Sequence, residues 1–222
     1  MTPPAVKPVA GPRWTQKRLV DMLAECYGPS KIGPIDTVAV AGHVGVTAAT
    51  VRRWLRNTNG PPSRVRAAIP RERITQLQRA RPDVEDSNDR RYQYALQAID
   101  KVDRGDIIPP WRTQGWLAEH TVAIVAVRAK PWHQVVVTKA NHRALMGIRR
   151  RADIMDSAVV RNRFWAQVVA HNVMVRQQHW RVYPAQNQLD TGRTQVWMAD
   201  APPISLESFV ADVAAAIIGK EA

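Results

Sequence analysis

The chain of 222 residues contains a single cysteine, Cys26. An intrachain disulfide and a cysteine-based zinc knuckle are therefore excluded, and a reducing cytoplasm suits the sequence. The neighbours of Cys26 predict a packed thiol in a first helix, not a catalytic one. Long apolar runs are absent too, so no membrane span is expected. The opening MTPPAVKPVAGPRW is Pro-rich and lacks the apolar core of a secretion signal. Residues 1–13 are expected to form a flexible arm.

The usual chemical signatures are also missing. There is no P-loop and no G-x-G-x-x-G. The six histidines, His43, His120, His133, His142, His171 and His179, include no H-E-x-x-H or H-x-H pair. His171 and His179 lie eight apart, a spacing that packing or solvent exposure explains. Asp100, Asp103 and Asp106 form a D-x-x-D-x-x-D series, but a helix end rarely converges three carboxylates on a metal. No catalytic residue, metal or cofactor is expected.

Acidic residues are scarce in one part of the chain. Residues 1–82 hold 14 Lys and Arg against 4 Asp and Glu, whereas residues 83–222 hold 18 against 15. A basic segment of this kind predicts a polyanionic partner, usually nucleic acid. An anionic membrane is the rival, but no basic helix with a wide apolar face occurs there.

Periodicity and punctuation divide the chain. Helices are predicted over 14–26, over 36–43 with Asp36 as cap, and from Thr47 to about Asn57. Another follows Ile69-Pro70 and ends at Arg81-Pro82. The polar stretch PDVEDSNDR, 82–90, reads as a linker. Beyond it comes a helix with Tyr92, Leu96, Ile99 and Val102 on one side. The β-branched runs 121–129 and 133–140 predict two strands in a hairpin. Residues 141–151 and about 156–179 read as helices, 193–199 as a third strand and 205–218 as a final helix capped by Ser205. The expected fold is mainly α with a smaller β component: an all-helical domain over 14–81, then an α+β domain over 91–222.

The stretch AGHVGVTAATVRRWLRN, residues 41–57, has its own order. Gly45 permits a positive φ between two helices. Val40, Val44, Val46, Val51 and Trp54 occupy the offsets that must be apolar around such a turn, and Ala41 is small where the helices cross. In this register Thr47, Ala48, Ala49, Arg52, Arg53 and Arg56 point outward.

With Ala41, Val44, Gly45, Val46, Thr47, Thr50, Val51 and Trp54, the stretch resembles the bacterial and phage helix-turn-helix family. The resemblance is close over about 20 residues and loose over 14–80. It implies that the partner is double-stranded DNA and that the third helix enters the major groove. Arg52 or Arg53 would bond guanine, Ala48 and Ala49 would meet a thymine methyl, Thr47 a base or phosphate, and Arg56 a phosphate. Lys17, Arg18, Lys31, Arg64 and Arg66 are further phosphate candidates. The following NGPPSRVRAAIPRERITQLQ resembles both a winged excisionase or MerR-like motif and a Cro-like fourth helix.

In the second half, Lys139, Arg143, Arg149, Arg150, Arg161 and Arg163 are candidates for a second DNA contact, although arginines ending a helix also complement its dipole. Trp111, Trp116, Trp132, Trp165, Trp180 and Trp197 are expected as core and interface anchors. With its Ala, Val and Arg usage, the whole resembles an actinobacteriophage repressor. The expected function is a sequence-specific transcriptional regulator, cytoplasmic and nucleoid-associated, acting by operator occlusion. The alternative is a DNA-processing accessory factor: an excisionase, replication initiator or packaging protein. Oligomeric state, monomer or homodimer, stays open.

Overall fold

The computed structural model describes residues 6–55, 75–78 and 82–218. Three helices come first: α1 (Gln16–Tyr27), α2 (Thr37–Val44) and α3 (Ala48–Leu55). Next are α4 (Pro82–Asp103), α5 (Pro109–Thr113), β1 (His120–Val127), β2 (Trp132–Lys139), α6 (His142–Arg149), β3 (Ala152–Val160), α7 (Arg163–Arg176), β4 (Val196–Met198) and α8 (Leu206–Ile218). The four strands form one antiparallel sheet in the order β3-β1-β2-β4. The fold is mixed, mainly helical with a smaller β component.

Strand alternation decides what each face of the sheet meets. Val122 and Ile124 of β1 join the main core, while Ala123 and Val125 join a small cluster with Ile148 of α6 and Ala152. On the main-core side α7 packs between the sheet and α4, and it is buried nearly all round: Phe164, Trp165, Ala166, Val168, Val169, Ala170, Val173 and Met174. Asn162 starts that helix, its Oδ1 accepting from Phe164 N and Trp165 N at 3.0 Å each. The other partner, α4, offers Tyr92, Ala95, Leu96 and Ile99, a helical-period stripe. Trp111, Trp132, Trp165, Trp180 and Trp197 are buried; Trp116 is half-buried, edge-on to Phe164.

One continuous core runs from Leu23 and Val40 to Val135 and Leu206. Polar ties join its ends. Residues 6–13, expected as a flexible arm, lie along the end of α7: Val9 N donates to Arg176 O at 2.9 Å and Trp180 Nε1 to Ala10 O at 2.7 Å. From the hairpin turn, Lys130 Nζ donates to Gln188 Oε1 at 2.8 Å and lies 3.7 Å from Glu25 of α1. Gly28 ends α1 with φ +70°, and a Cβ there would crowd the Gln188 side-chain amide. The left-handed φ is what favours glycine at that position.

Two local expectations are corrected. Residues 82–90 form the first turns of α4; Asp86, Asp89 and Arg90 are exposed, and Glu85 is turned to Arg181. Residues 152–160 form β3, where a helix from about 156 was expected. That strand sits at the sheet edge, and its pairing with β1 shifts between Ile124 and Val125. Burial alternates along the whole strand, but apolar Met155 and Val159 occupy exposed positions and Asp156 lies on the more buried face, so residue type does not follow the alternation. The third expected strand shortens to Val196–Met198. Most of the helix expected before Arg81, and the stretch 63–69 that would distinguish a wing from a fourth helix, lie outside the described residues.

Candidate nucleic-acid interface

Asp36 opens α2, its Oδ1 accepting from Val38 N and Ala39 N at 3.0 Å each. Gly45 closes the helix in the left-handed region, φ 66° and ψ 41°, and Val46 N donates to Ala41 O at 3.1 Å. Thr47 then caps α3 through Oγ1, which accepts from Thr50 N at 3.2 Å. Val40, Ala41, Val44 and Val51 are buried, and Val46 and Trp54 pack half-buried against them. An eight-residue helix is too short to persist alone in water. Packing therefore maintains α3: Val51 is its buried anchor, and Gln16 of α1 donates to Trp54 O at 2.8 Å.

The opposite face of α3 is turned to solvent. Thr47, Ala49, Arg52 and Arg53 are exposed and Ala48 is half-buried. Arg52 Nε lies 3.3 Å from Ala48 O, along the helix. Neither arginine meets a carboxylate among the described residues. Lys17 and Lys31 are also exposed. Arg18 is not available in the same way, because its guanidinium is engaged by Asp200 and rests over Trp180. Arg56, Arg64 and Arg66 lie outside the described residues.

The six basic candidates of the second half do not form one patch. Register places Lys139 opposite His120, and His120 opposite Val160. Lys139, Arg161 and Arg163 thus belong to one end of the sheet, and Arg143, in the first turn of α6, follows closely after Lys139. Arg149 and Arg150 belong to the other end, beside Ala152, which pairs with Val127. An eight-residue strand separates the ends by roughly 24 Å. At the far end Arg128 donates to the carbonyls of Arg149 and Arg150 at 2.9 and 3.0 Å. Arg161 stacks on Trp165 at 4.5 Å and lies 3.3 Å from Asp103. Two of the acidic series are thus engaged, Asp103 by Arg161 and Asp100 by Arg104 at 2.5 Å.

Lys139 and Arg163 instead line a groove of about 980 Å³ with Arg90, Arg91, Arg181 and Arg193. It runs between α4 and α7 on one side and β2 with residues 192–195 on the other. Arg181 is held by Glu85 at 2.9 Å, largely out of solvent. His171 stacks on Tyr92 with ring centres 4.0 Å apart. Burial lowers the His171 pKa below its ordinary value; Asp89 opposes that shift and Arg181 adds to it. Burial raises the Tyr92 pKa. The sequence did not point to Arg90, Arg91, Arg181 or Arg193, because segments distant in sequence build this groove and none carries a local motif.

At its other end the groove reaches Tyr183. Arg193 lies 5.6 Å over that ring, and Tyr183 stands edge-on to His43 of α2 at 5.4 Å. The Tyr27 hydroxyl is hydrogen-bonded to His43 Nδ1. Among the described residues no group of three or more His, Cys, Asp or Glu converges as a metal site, and no helix is long and apolar enough to cross a membrane. Comparison with protein-family models, curated proteins and solved structures gives no match.

Proposed function

We propose that the chain is a sequence-specific double-stranded DNA-binding protein of the helix-turn-helix kind, and that it regulates transcription by occluding an operator. One observation carries the reading. The unit α2–Gly45–α3 is capped at both helix starts and anchored from beneath, and it turns Thr47, Ala49, Arg52 and Arg53 outward with no acidic side chain among them. A short helix held from below with paired arginines above suits insertion into the major groove. Arg52 and Arg53 then read guanine edges, and Lys17 and Lys31 hold backbone phosphate. The core shared by α1 and the sheet delivers α3 on a stiff body.

The test is selection of bound fragments from sheared genomic DNA, repeated with Arg52→Ala and Arg53→Ala. A recurrent motif about one helical turn long or more is expected, relaxed in the variants at a cost of about 1–3 kcal/mol each. Motifs over promoters fit the regulator; motifs at attachment, replication or packaging sites would transfer the same helix to a DNA-processing role. Enrichment without a motif, unchanged by both substitutions and abolished by moderate salt, would reduce α3 to a scaffold.

A further inference from the structure

We propose that the groove between α4, α7 and β2 is a binding site for a small ligand carrying two or more phosphoryl groups. Its volume of about 980 Å³ lies at the upper end of small-ligand pockets. Cations come from every wall: Arg90 and Arg91 from α4, Arg163 from α7, Lys139 from the end of β2, and Arg193 from the loop before β4. None of these five meets a carboxylate among the described residues. The groove's other arginine, Arg181, is already neutralised by Glu85.

Two of the five are held in place before any ligand arrives. Arg163 lies 4.6 Å over Trp116 and Arg193 lies 5.6 Å over Tyr183. Such stacking leaves the guanidinium edge free while restricting its rotamers, which favours bidentate grip on phosphate oxygens. Two carboxylates also line the groove, Glu85 on Arg181 and Asp89, but the cations outnumber them; that excess costs free energy through mutual repulsion, and a polyanion removes the cost. A single carboxylate or one orthophosphate would satisfy only part of the wall. The site does not depend on the DNA-binding role of α3.

The experiment is calorimetric titration of the full chain with sodium tripolyphosphate, pyrophosphate and orthophosphate, and with a short single-stranded oligonucleotide. Arg91→Gln with Arg163→Gln is the test variant. Arg149→Gln with Arg150→Gln, at the opposite end of the sheet, is the control, and thermal melts establish that each is folded. Saturable one-to-one binding is expected, strongest for tripolyphosphate and weakest for orthophosphate. The test variant should weaken it about tenfold or more, and the control less than about twofold. If the test variant fails to fold, Lys139→Gln with Arg193→Gln removes the same charge from other elements. Absence of saturable binding overturns the proposal, as does equal loss in the control, which would mean a diffuse field. Displacement of tripolyphosphate by a tighter-binding oligonucleotide also overturns it and gives the groove to a nucleic-acid strand.

Discussion

Arg18 of α1 and Asp200, just beyond β4, meet at 2.6 Å, with the guanidinium 5.3 Å from the centre of the Trp180 ring. The contact closes the molecule between residues 182 apart in sequence. It also separates two neighbouring cations by role, since Lys17 is exposed and Arg18 is engaged. Arg18→Ala should lower stability by about 1–2 kcal/mol, combining a partly exposed ion pair with a cation–π contact. Asp200→Asn should cost less, about 0.5 kcal/mol. In DNA titrations Lys17→Ala should reduce the salt slope by about 1 and Arg18→Ala should leave it unchanged. An equal loss of slope at Arg18 would show that the ion pair opens on binding.

Gly45 joins α2 to α3 at φ 66°, and nothing lies within 4 Å of where a Cβ would stand. Backbone conformation alone then determines the effect of a side chain. Gly45→Ala should cost about 1–2 kcal/mol, the price of a left-handed alanine. Gly45→Asn should cost clearly less, because asparagine tolerates that region. Urea unfolding of the three proteins gives the comparison. An alanine variant as stable as the parent would mean that the turn relaxes to another conformation.

The helices around this turn were legible because their signals are local. Asp36, Gly45 and Thr47 each act within three or four residues, and the start of α2 falls where Asp36 predicts it. The β1–β2 hairpin was legible from its β-branched runs. Strand β3 was not: its faces alternate, but Met155 and Val159 are exposed while Asp156 lies on the more buried face, so residue type hides the two-residue period. The groove was beyond reach for another reason. Arg91, Lys139, Arg163 and Arg193 come together only through the packing of α4 and α7 on the sheet, and no local pattern records a tertiary contact. Arg18 teaches the same lesson, since an exposed-looking basic residue found a partner 182 positions away.

Stability should depend on pH through His171. Burial against Tyr92 lowers its folded pKa below the ordinary 6.5. The unfolded chain therefore binds more protons between those two values, and stability rises with pH across that window. His133, also lowered by burial, acts in the same direction. The unfolding free energy should fall as pH drops from about 7 through 6.5 and on toward the depressed folded value. His171→Gln should flatten that slope while lowering stability at neutral pH through loss of the stack. An unchanged slope in the variant would assign the dependence to His133 or to carboxylates.

Asp156 links the strand that sequence missed to the last helix. Its Oδ2 accepts from Leu206 N at 2.7 Å, and its Oδ1 accepts from Ser157 N at 2.7 Å. The first turn of α8 thus receives a carboxylate from β3, whereas Ser205 had been expected to cap it. Ser205 Oγ meets Ser208 Oγ at 3.5 Å, a long contact. A carboxylate at a helix start satisfies a free N–H and faces the positive end of the helix dipole. Asp156→Ala should therefore cost about 1–2 kcal/mol, and Ser205→Ala no more than a few tenths. Asp156→Asn keeps an acceptor but loses the charge, so it should fall between them. Hydrogen exchange should place the damage in the amides of the first turn of α8. Equal costs at Asp156 and Ser205 would return the cap to the serine.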